Sequence, residues 1–417
     1  MTSMPTLDSQ PATISAEPRR TARALRVALA GGGTGGHIVP GLHLFAWQPS
    51  ADADPADVVW FTSGRAVEDR VLGGARDLLA RTPFERVALP IEPPGGGAPS
   101  RARLVVRTPA AGVRARERLV AHRSQVLLGL GGFTSLPAVV AARSLGIPVV
   151  LLEINAHSGA ATRWLSRFAT RVLHAWRATL PHGEDRVNRF VGPPLSPVFH
   201  AQAGLDEPAR QGLSKRARER LGFDPRQPLL VVLGGSQGSS ALNAFVRAHA
   251  AAFTEAGLQV LHQTGPHKLH EAADPARGYC AVEYVDPAHE ALSAATVALV
   301  RGGASTLAEV AALRVPAFVA PYPGHADAHQ ERNARELGAG VRIVPDAELG
   351  PRVRDALLHL ASPGGAPGRA AMRDALARAL PTDAAVRIWE HLSQVAAERE
   401  AALRTTARGR IPETNSA

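Results

Sequence analysis

The chain has 417 residues, a formal net charge of +10, and 45% hydrophobic against 20% charged residues, enough for two ordinary domains with cores of their own. A single cysteine, Cys280, excludes a disulfide framework and a cysteine-rich metal centre, and no apolar run reaches the length of a membrane span. The basicity is arginine, since Lys215 and Lys268 are the only lysines; with few aromatics and no nucleic-acid motif it argues against nucleic acid as a partner and leaves anionic membranes or acidic substrates.

In chain order, residues 1–23 are polar, lack the apolar stretch of a signal peptide, and read as a disordered leader. Buried-strand runs follow at Leu25–Ala30, Val58–Thr62, Val126–Gly129, Val149–Leu152, Leu229–Leu233, Gln259–Gln263, Val297–Val300 and Ala317–Ala320. Helix-like stretches alternate with them, which predicts an α/β fold with parallel sheets covered on both faces. The Pro/Gly stretch Pro93–Pro99 is a loop. The arginines after it (Arg101, Arg103, Arg107, Arg114, Arg116, Arg118) form either a solvated helix face or a membrane-surface contact. The pattern breaks at Gly192-Pro193-Pro194-Leu195-Ser196-Pro197. The expected division is a first Rossmann-like domain over 24–196, a linker over 197–224, a second such domain over 225–383, a helix over 384–402 packing back on the first domain, and a disordered tail from 403.

Two glycine-rich turns, one per half, carry most of the chemistry. Gly31-Gly32-Gly33-Thr34-Gly35-Gly36-His37 and Gly234-Gly235-Ser236-Gln237-Gly238 each follow an apolar strand and precede a helix, the arrangement in which backbone N–H groups cradle an anion. The first matches Gly-x-Gly-x-x-Gly, but the second strand ends Trp60-Phe61-Thr62-Ser63, without the carboxylate a dinucleotide ribose requires. His37 falls in the first helical turn, where the helix N-terminus favours a neutral ring able to accept a proton; a capping or packing histidine is the equal alternative. Gly234–Gly238 also spells the hydrolase motif Gly-x-Ser-x-Gly, with Asp286 and His325 or His329 formally available, although an anion site is more economical. In Arg301-Gly302-Gly303-Ala304-Ser305-Thr306-Leu307-Ala308-Glu309, Thr306 and Glu309 read either as a capping box or as a phosphate-holding helix start with a ribose-binding carboxylate. His325, Asp327 and His329, and the pair Asp52 and Asp54, are weak metal candidates; no metal site and no cofactor are expected.

Taken together and in order, these motifs resemble the MurG family, the bacterial N-acetylglucosaminyltransferases that act on undecaprenyl-diphospho-muramoylpentapeptide (lipid I) in peptidoglycan synthesis. The matching stretches are Gly32–Pro40, Gly131–Pro137, Glu153–Ala156, Gly234–Gly238, His262–Gly265, Arg301–Glu309 and His329–Asn333, spanning Ala24 to Leu392. The resemblance implies a GT-B architecture, two Rossmann-like domains facing across a cleft, and an inverting, metal-independent transfer from UDP-N-acetylglucosamine giving lipid II. It implies His37 as the base, with Gly33, Thr34, Gly35, Gly36, Phe133, Thr134 and Asn155 on the acceptor. It places Gly235, Ser236, Gln237 and Gly238 at the diphosphate and sugar side, Tyr284 and Val285 near the uracil, Ala304, Ser305 and Thr306 at a phosphate, Glu309 on the ribose, and Gln330 and Asn333 on the donor sugar, with Thr34, Gly35 and Asn155 also reaching the donor. It implies a peripheral protein at the cytoplasmic side of the inner membrane. Ile154 stands where the family often has Gln, His157 departs from the usual continuation of that motif, and Pro193–Ser196 departs from its linker motif. The alternatives are another GT-B enzyme, either a glycolipid glycosyltransferase or a sugar-nucleotide epimerase, and a UDP-sugar-binding protein without catalysis.

Overall fold

A computed structural model describes residues 24–33, 35–47, 56–74, 84–89, 91, 98–132, 134–324 and 327–408. The leader 1–23, Asp52 to Asp54, the 93–97 part of the Pro/Gly loop, Thr34, Phe133, His325 and the tail from 409 lie outside the described residues. The first half builds a seven-stranded sheet from β1 (Arg26–Gly31), β2 (Asp57–Thr62), β3 (Phe84–Ala88), β4 (Val126–Gly131), β5 (Val149–Glu153), β6 (Arg171–His174) and β7 (Asn188–Phe190), in the order β3-β2-β1-β4-β5-β6-β7. Helices α1 (Gly35–Ala46), α2 (Ala66–Gly74), α3 (Ala98–His122), α4 (Ser135–Ser144) and α5 (Ala160–Leu165) connect the strands. All pairings are parallel. That explains the uninterrupted apolar runs of β1, β4 and β5, which are buried on both faces.

Two helices, α6 (Pro197–Ala203) and α7 (Glu207–Arg220), lead to a six-stranded parallel sheet. Its strands are β8 (Leu229–Leu233), β9 (Gln259–Gln263), β10 (Tyr279–Val282), β11 (Val297–Val300), β12 (Ala317–Val319) and β13 (Val341–Ile343), ordered β10-β9-β8-β11-β12-β13. Helices α8 (Ser240–Glu255), α9 (Ala288–Ala294), α10 (Ala304–Ala312), α11 (His329–Arg335), α12 (Pro351–Ala361) and α13 (Ala366–Ala379) wind around it. A last helix, α14 (Ala384–Arg408), packs Ile388, Leu392 and Val395 into the core formed with Val27 and Leu128, and the Trp389 indole donates to the Leu44 carbonyl at 3.0 Å. Leu195, Phe199, Ala217 and Phe223 join the core of the second sheet, as do Ala156, Ala175 and Trp176 from the first half. The halves therefore share buried apolar surface.

In each sheet the order reverses once, between β1 and β4 and between β8 and β11. Ligands of open parallel sheets bind outside the carboxyl ends of the strands at such reversals. The turns after β1 and β4, and those after β8 and β11, are the four glycine-rich stretches of the sequence.

The first of these turns is held by a residue with no motif of its own. The Glu68 carboxylate, fully buried on α2, accepts from Gly33 N (2.6 Å), Ser63 N (2.9 Å), Gly64 N (2.7 Å) and Arg65 N (3.2 Å), and from Arg86 Nη2 (2.9 Å). Burial opposes its ionisation, but the hydrogen bonds from Ser63, Gly33 and Gly64 prevail and hold its pKa below the ordinary value. Replacing Glu68 with Ala leaves these donors without their acceptor and is expected to cost about 2–4 kcal/mol in urea unfolding. A group held low lends stability above its unfolded pKa and loses it as pH falls through the folded one, so the gap to the variant narrows in acid. A loss under about 0.5 kcal/mol, the range of ordinary surface substitutions, contradicts this role.

Candidate active site

At the first reversal, β1 passes through Gly31–Gly33 into α1, with Gly35 its first residue, Gly36 exposed, and His37 third. The His37 ring lies against the turn after β4. A Cβ on Gly132 would stand 3.2 Å from His37 Nδ1 and 3.0 Å from the Gly32 carbonyl oxygen, and Gly132 has φ +79, so a side chain there would press on both and strain the backbone. Burial lowers the His37 pKa; the Gly32 carbonyl that the ring hydrogen-bonds and the Glu153 charge oppose this, while the His329 charge adds to it. The ring is neutral at neutral pH. Ser135 Oγ donates to the Ala30 carbonyl (2.9 Å) and the Gly131 carbonyl (2.8 Å) and so staples the two turns together. Thr134, at the start of α4, buries a hydroxyl that has no hydrogen-bond partner among the described residues. Glu153 closes the otherwise apolar β5 and accepts from Asn155 N (3.1 Å) and Gly159 N (2.9 Å), shaping the loop that carries Asn155. The buried Ile154 side chain belongs to the first core.

At the second reversal, α8 begins only at Ser240, capped by Ser239 Oγ, which accepts from Leu242 N. Ser236 therefore does not sit at the strand–helix junction that a hydrolase nucleophile requires, and that reading is set aside. Gly238, at φ +67, approaches the next loop so closely that a Cβ would lie 2.1 Å from the Thr264 carbonyl oxygen. Gln263 donates to the Gly235 carbonyl (2.9 Å) and accepts from Val285 N (3.0 Å), binding the turn to the loop of exposed Tyr284 and buried Val285. Ser236 is partly buried and Gln237 exposed.

After β11, Gly303 is the N-cap of α10 and makes no side-chain cap bond. Ala304, Ser305 and Thr306 are the first three helical residues, whose N–H groups have no partner within a helix. Thr306 is thus not an N-cap, and the capping box with Glu309 does not form. Glu309 is buried, and burial pushes its pKa up to about 8. His43 of α1 faces it at 3.9 Å. Burial holds the His43 pKa down, against the Pro194 carbonyl it bonds at 2.9 Å. Both groups are neutral at pH 7, so the contact is not an ion pair. Arg301, buried below both turns, clamps them: it donates to Ser239 Oγ (2.6 Å), to the Ala320 carbonyl (2.9 Å) and to both oxygens of Asp346 (2.5 and 3.0 Å).

The reversals meet through α11. Asn333 is fully buried. Its Oδ1 accepts from Ala156 N (2.7 Å), and its Nδ2 donates to the Gly302 carbonyl (3.0 Å) and to Asn155 Oδ1 (3.3 Å). Gln330 Oε1 accepts from Gly302 N (3.1 Å) and Tyr322 N (2.9 Å), and Arg332 bonds His157 across the seam (3.0 Å). His329 pairs with Asp327 at 2.8 Å, and no cluster of three or more His, Cys, Asp or Glu suited to a metal occurs among the described residues. The bonds of Asn333 and Gln330 thus bring Asn155 to the residues before the helix start of α10, with His37 and Thr134 at the turns after β1 and β4 and Glu309 against His43 of α1. Glu68, Ser135, Glu153 and Arg301 frame the site. Of these, Glu153 had a readable signal, a carboxylate ending a buried strand.

The Glycosyltransferase family 28 N-terminal domain matches residues 27–174 and the Glycosyltransferase family 28 C-terminal domain residues 229–387. A UDP-N-acetylglucosamine--N-acetylmuramyl-(pentapeptide) pyrophosphoryl-undecaprenol N-acetylglucosamine transferase of Nocardioides is 36% identical over 378 residues, covering 87% of this chain and 96% of the relative. The protein of the same name from Sorangium cellulosum is 36% identical over 394 residues, covering 91% and 90%. The crystal structure of Acinetobacter baumannii MurG superposes with a TM-score of 0.63 at 23% identity, covering 89% of this chain and all of that one, and shares its fold. Matched across both sheets and along most of its length, the chain belongs to glycosyltransferase family 28 and, within it, to the MurG family.

Proposed function

We propose that this protein transfers N-acetylglucosamine from UDP-N-acetylglucosamine to the muramoyl 4-hydroxyl of lipid I, with inversion and without a metal, giving lipid II. The observation that carries the reading is the seam between the halves: Asn333 and Gln330 of the second half bond Gly302, just before the helix start of α10, while Asn333 also holds Asn155 and Ala156 of the first half, whose sheet carries His37. The relatives' printed activity supports it.

In this reading the 4-hydroxyl oxygen bonds to the anomeric carbon as the bond from that carbon to the UDP β-phosphate oxygen breaks. His37 takes the hydroxyl proton. The charge left on UDP falls on N–H groups of Ala304, Ser305 and Thr306 and of the turn Gly235, Ser236, Gln237, Gly238, which are oriented before the reaction begins. Glu309 accepts from the ribose, Tyr284 and Val285 border the uracil, and Gln330 lines the sugar, while Asn333, which the resemblance puts on the sugar, is buried with its amide committed and acts by holding Asn155 and Gly302 in place. The acceptor lies along Gly33, Thr34, Gly35, Gly36, Phe133, Thr134 and Asn155; the buried unpartnered hydroxyl of Thr134 supports a polar ligand there. In this reading Asn155, joined to Asn333, meets both substrates, as do Thr34 and Gly35.

No helix among the described residues is long and apolar enough to cross a membrane. Helix α3 presents exposed Arg107, Arg114, Arg116 and Arg118 beside exposed Val113 (60%) and Val120 (53%), which supports a peripheral seat on an anionic lipid surface at the cytoplasmic side.

The reading predicts UDP release from UDP-N-acetylglucosamine in EDTA only when a lipid I analogue is present; release without acceptor, or strict dependence on a divalent cation, contradicts it. Glu309→Ala weakens donor binding by about 1–3 kcal/mol in calorimetry, the cost of leaving a buried hydrogen-bonding group without its partner; unchanged affinity removes Glu309 from the donor site. The free protein also carries a pH signature. With a folded pKa of about 8 against an ordinary 4.5, Glu309 stays protonated while the unfolded chain ionises, so its contribution is lost as pH rises through that window. Glu309→Gln, neutral throughout, is expected to melt above the parent at about pH 8 and level with it at about pH 4; a difference independent of pH contradicts a protonated Glu309.

A further inference from the structure

At the end of the second sheet away from its glycine turns, a surface cavity of about 540 Å³ opens where Pro228, Thr296 and Pro316 lead into the inner strands β8, β11 and β12. Seven arginine and lysine side chains line it, against one carboxylate, Glu207. Arg210, Arg218, Arg314, Arg369 and Arg373 are all partly buried there. Their hydrogen bonds go mainly to neutral groups. Arg210 donates to the Leu313 (2.9 Å) and Leu205 (3.0 Å) carbonyls, Arg218 to the Ala294 carbonyl (2.8 Å) and Thr296 Oγ1 (2.9 Å), Arg314 to the Ala203 carbonyl (3.2 Å), and Arg369 to the Ser362 carbonyl (2.7 Å). Carbonyls satisfy N–H groups without cancelling charge. Arg373 meets Glu207 at 3.2 Å, and Arg226 at the rim meets Asp224 at 3.3 Å.

The guanidinium groups of the cluster also repel one another. Burial first, and then the charge of Arg314, lower the pKa of Arg210, with Glu207 opposing them and Arg373 adding a smaller push; burial and Arg373 do the same to Arg369. Arg314 also holds φ +53 at the end of α10, a left-handed position where glycine or asparagine is usual and a longer side chain costs energy. A concave site with several desolvated guanidinium groups and an excess of cations over the carboxylates that meet them is built for an anion bearing several phosphate oxygens, which guanidinium binds in bidentate fashion.

We propose that this cavity is a second anion site, separate from the cleft, that takes a multiply charged phosphate group, either a soluble polyphosphate or the headgroup of an anionic phospholipid. The test is calorimetric titration of the full chain with inorganic tripolyphosphate in saturating UDP, so that the cleft is occupied. One tripolyphosphate binds per chain, and Arg314→Gln/Arg373→Gln weakens it at least tenfold. The control Arg378→Gln/Arg404→Gln, which removes two exposed charges outside the cavity, shifts it less than twofold. Glu207→Gln removes the one carboxylate lining the cavity and tightens binding, a gain that loss of folding cannot imitate. Displacement of tripolyphosphate by phosphatidylglycerol vesicles, but not by phosphatidylcholine vesicles, assigns the site to a lipid headgroup; retention in the presence of both assigns it to a soluble phosphate. No binding in saturating UDP, or equal loss in the cavity pair and the control pair, overturns the proposal.

Discussion

The buried carboxamide of Asn333 is the contact on which the site depends. Each sheet brings its own glycine turns, but the turns of one sheet cannot by themselves place a nucleophile against a leaving group. Asn333 takes the Ala156 N–H of the first half and gives to the Gly302 carbonyl of the second, and it reaches Asn155 at the same time. A buried amide with its oxygen and nitrogen both committed is costly to break, because each abandoned partner is left desolvated. The seam is therefore a defined joint, and Gln330, Arg332 and His157 extend it.

Around this joint the cleft is kept poor in charge. His37, His43 and Glu309 are each pushed by burial toward the neutral form, and the Arg301 guanidinium is cancelled by Asp346. What remains is the fixed polarity of helix starts and glycine turns. In the proposed reaction the anionic diphosphate is the first large charge to enter, and it meets N–H groups that need no rearrangement. A histidine held neutral against Gly132 is in the protonation state a base requires.

Much of the fold could be read from the chain because the inner strands of parallel sheets are apolar on both faces. β1, β2, β4, β5, β8, β9, β11 and β12 stood out for that reason. β3, β6, β7, β10 and β13 did not, since they lie toward the sheet edges and lack an unbroken buried apolar run: β7 and β10 are half-buried throughout, β3 and β13 include exposed positions, and β6 is bounded by Arg171 and His174. The glycine turns were legible as local patterns, and His37 fell where its spacing placed it. Glu68, Ser135 and Arg301 hold those turns through partners far away in sequence, as with Glu68 and Gly33 or Arg301 and Asp346, and no local pattern encodes such pairings. Local patterns also misled. Thr306-x-x-Glu309 has the letters of a capping box, but the chain turns helical at Ala304, and Gly234-x-Ser236-x-Gly238 has the letters of a nucleophile turn without its junction.

The central claim is that the two halves divide the work, the second holding the nucleotide sugar and the first supplying the base. It is tested most directly by His37→Gln, measured for UDP-N-acetylglucosamine affinity and for single-turnover transfer to a lipid I analogue. The account predicts donor affinity within about twofold of the parent and a transfer rate lower by about 10²-fold or more, the usual value of a general base. Transfer at the parental rate, or a rate loss matched by an equal loss of donor affinity, would contradict it.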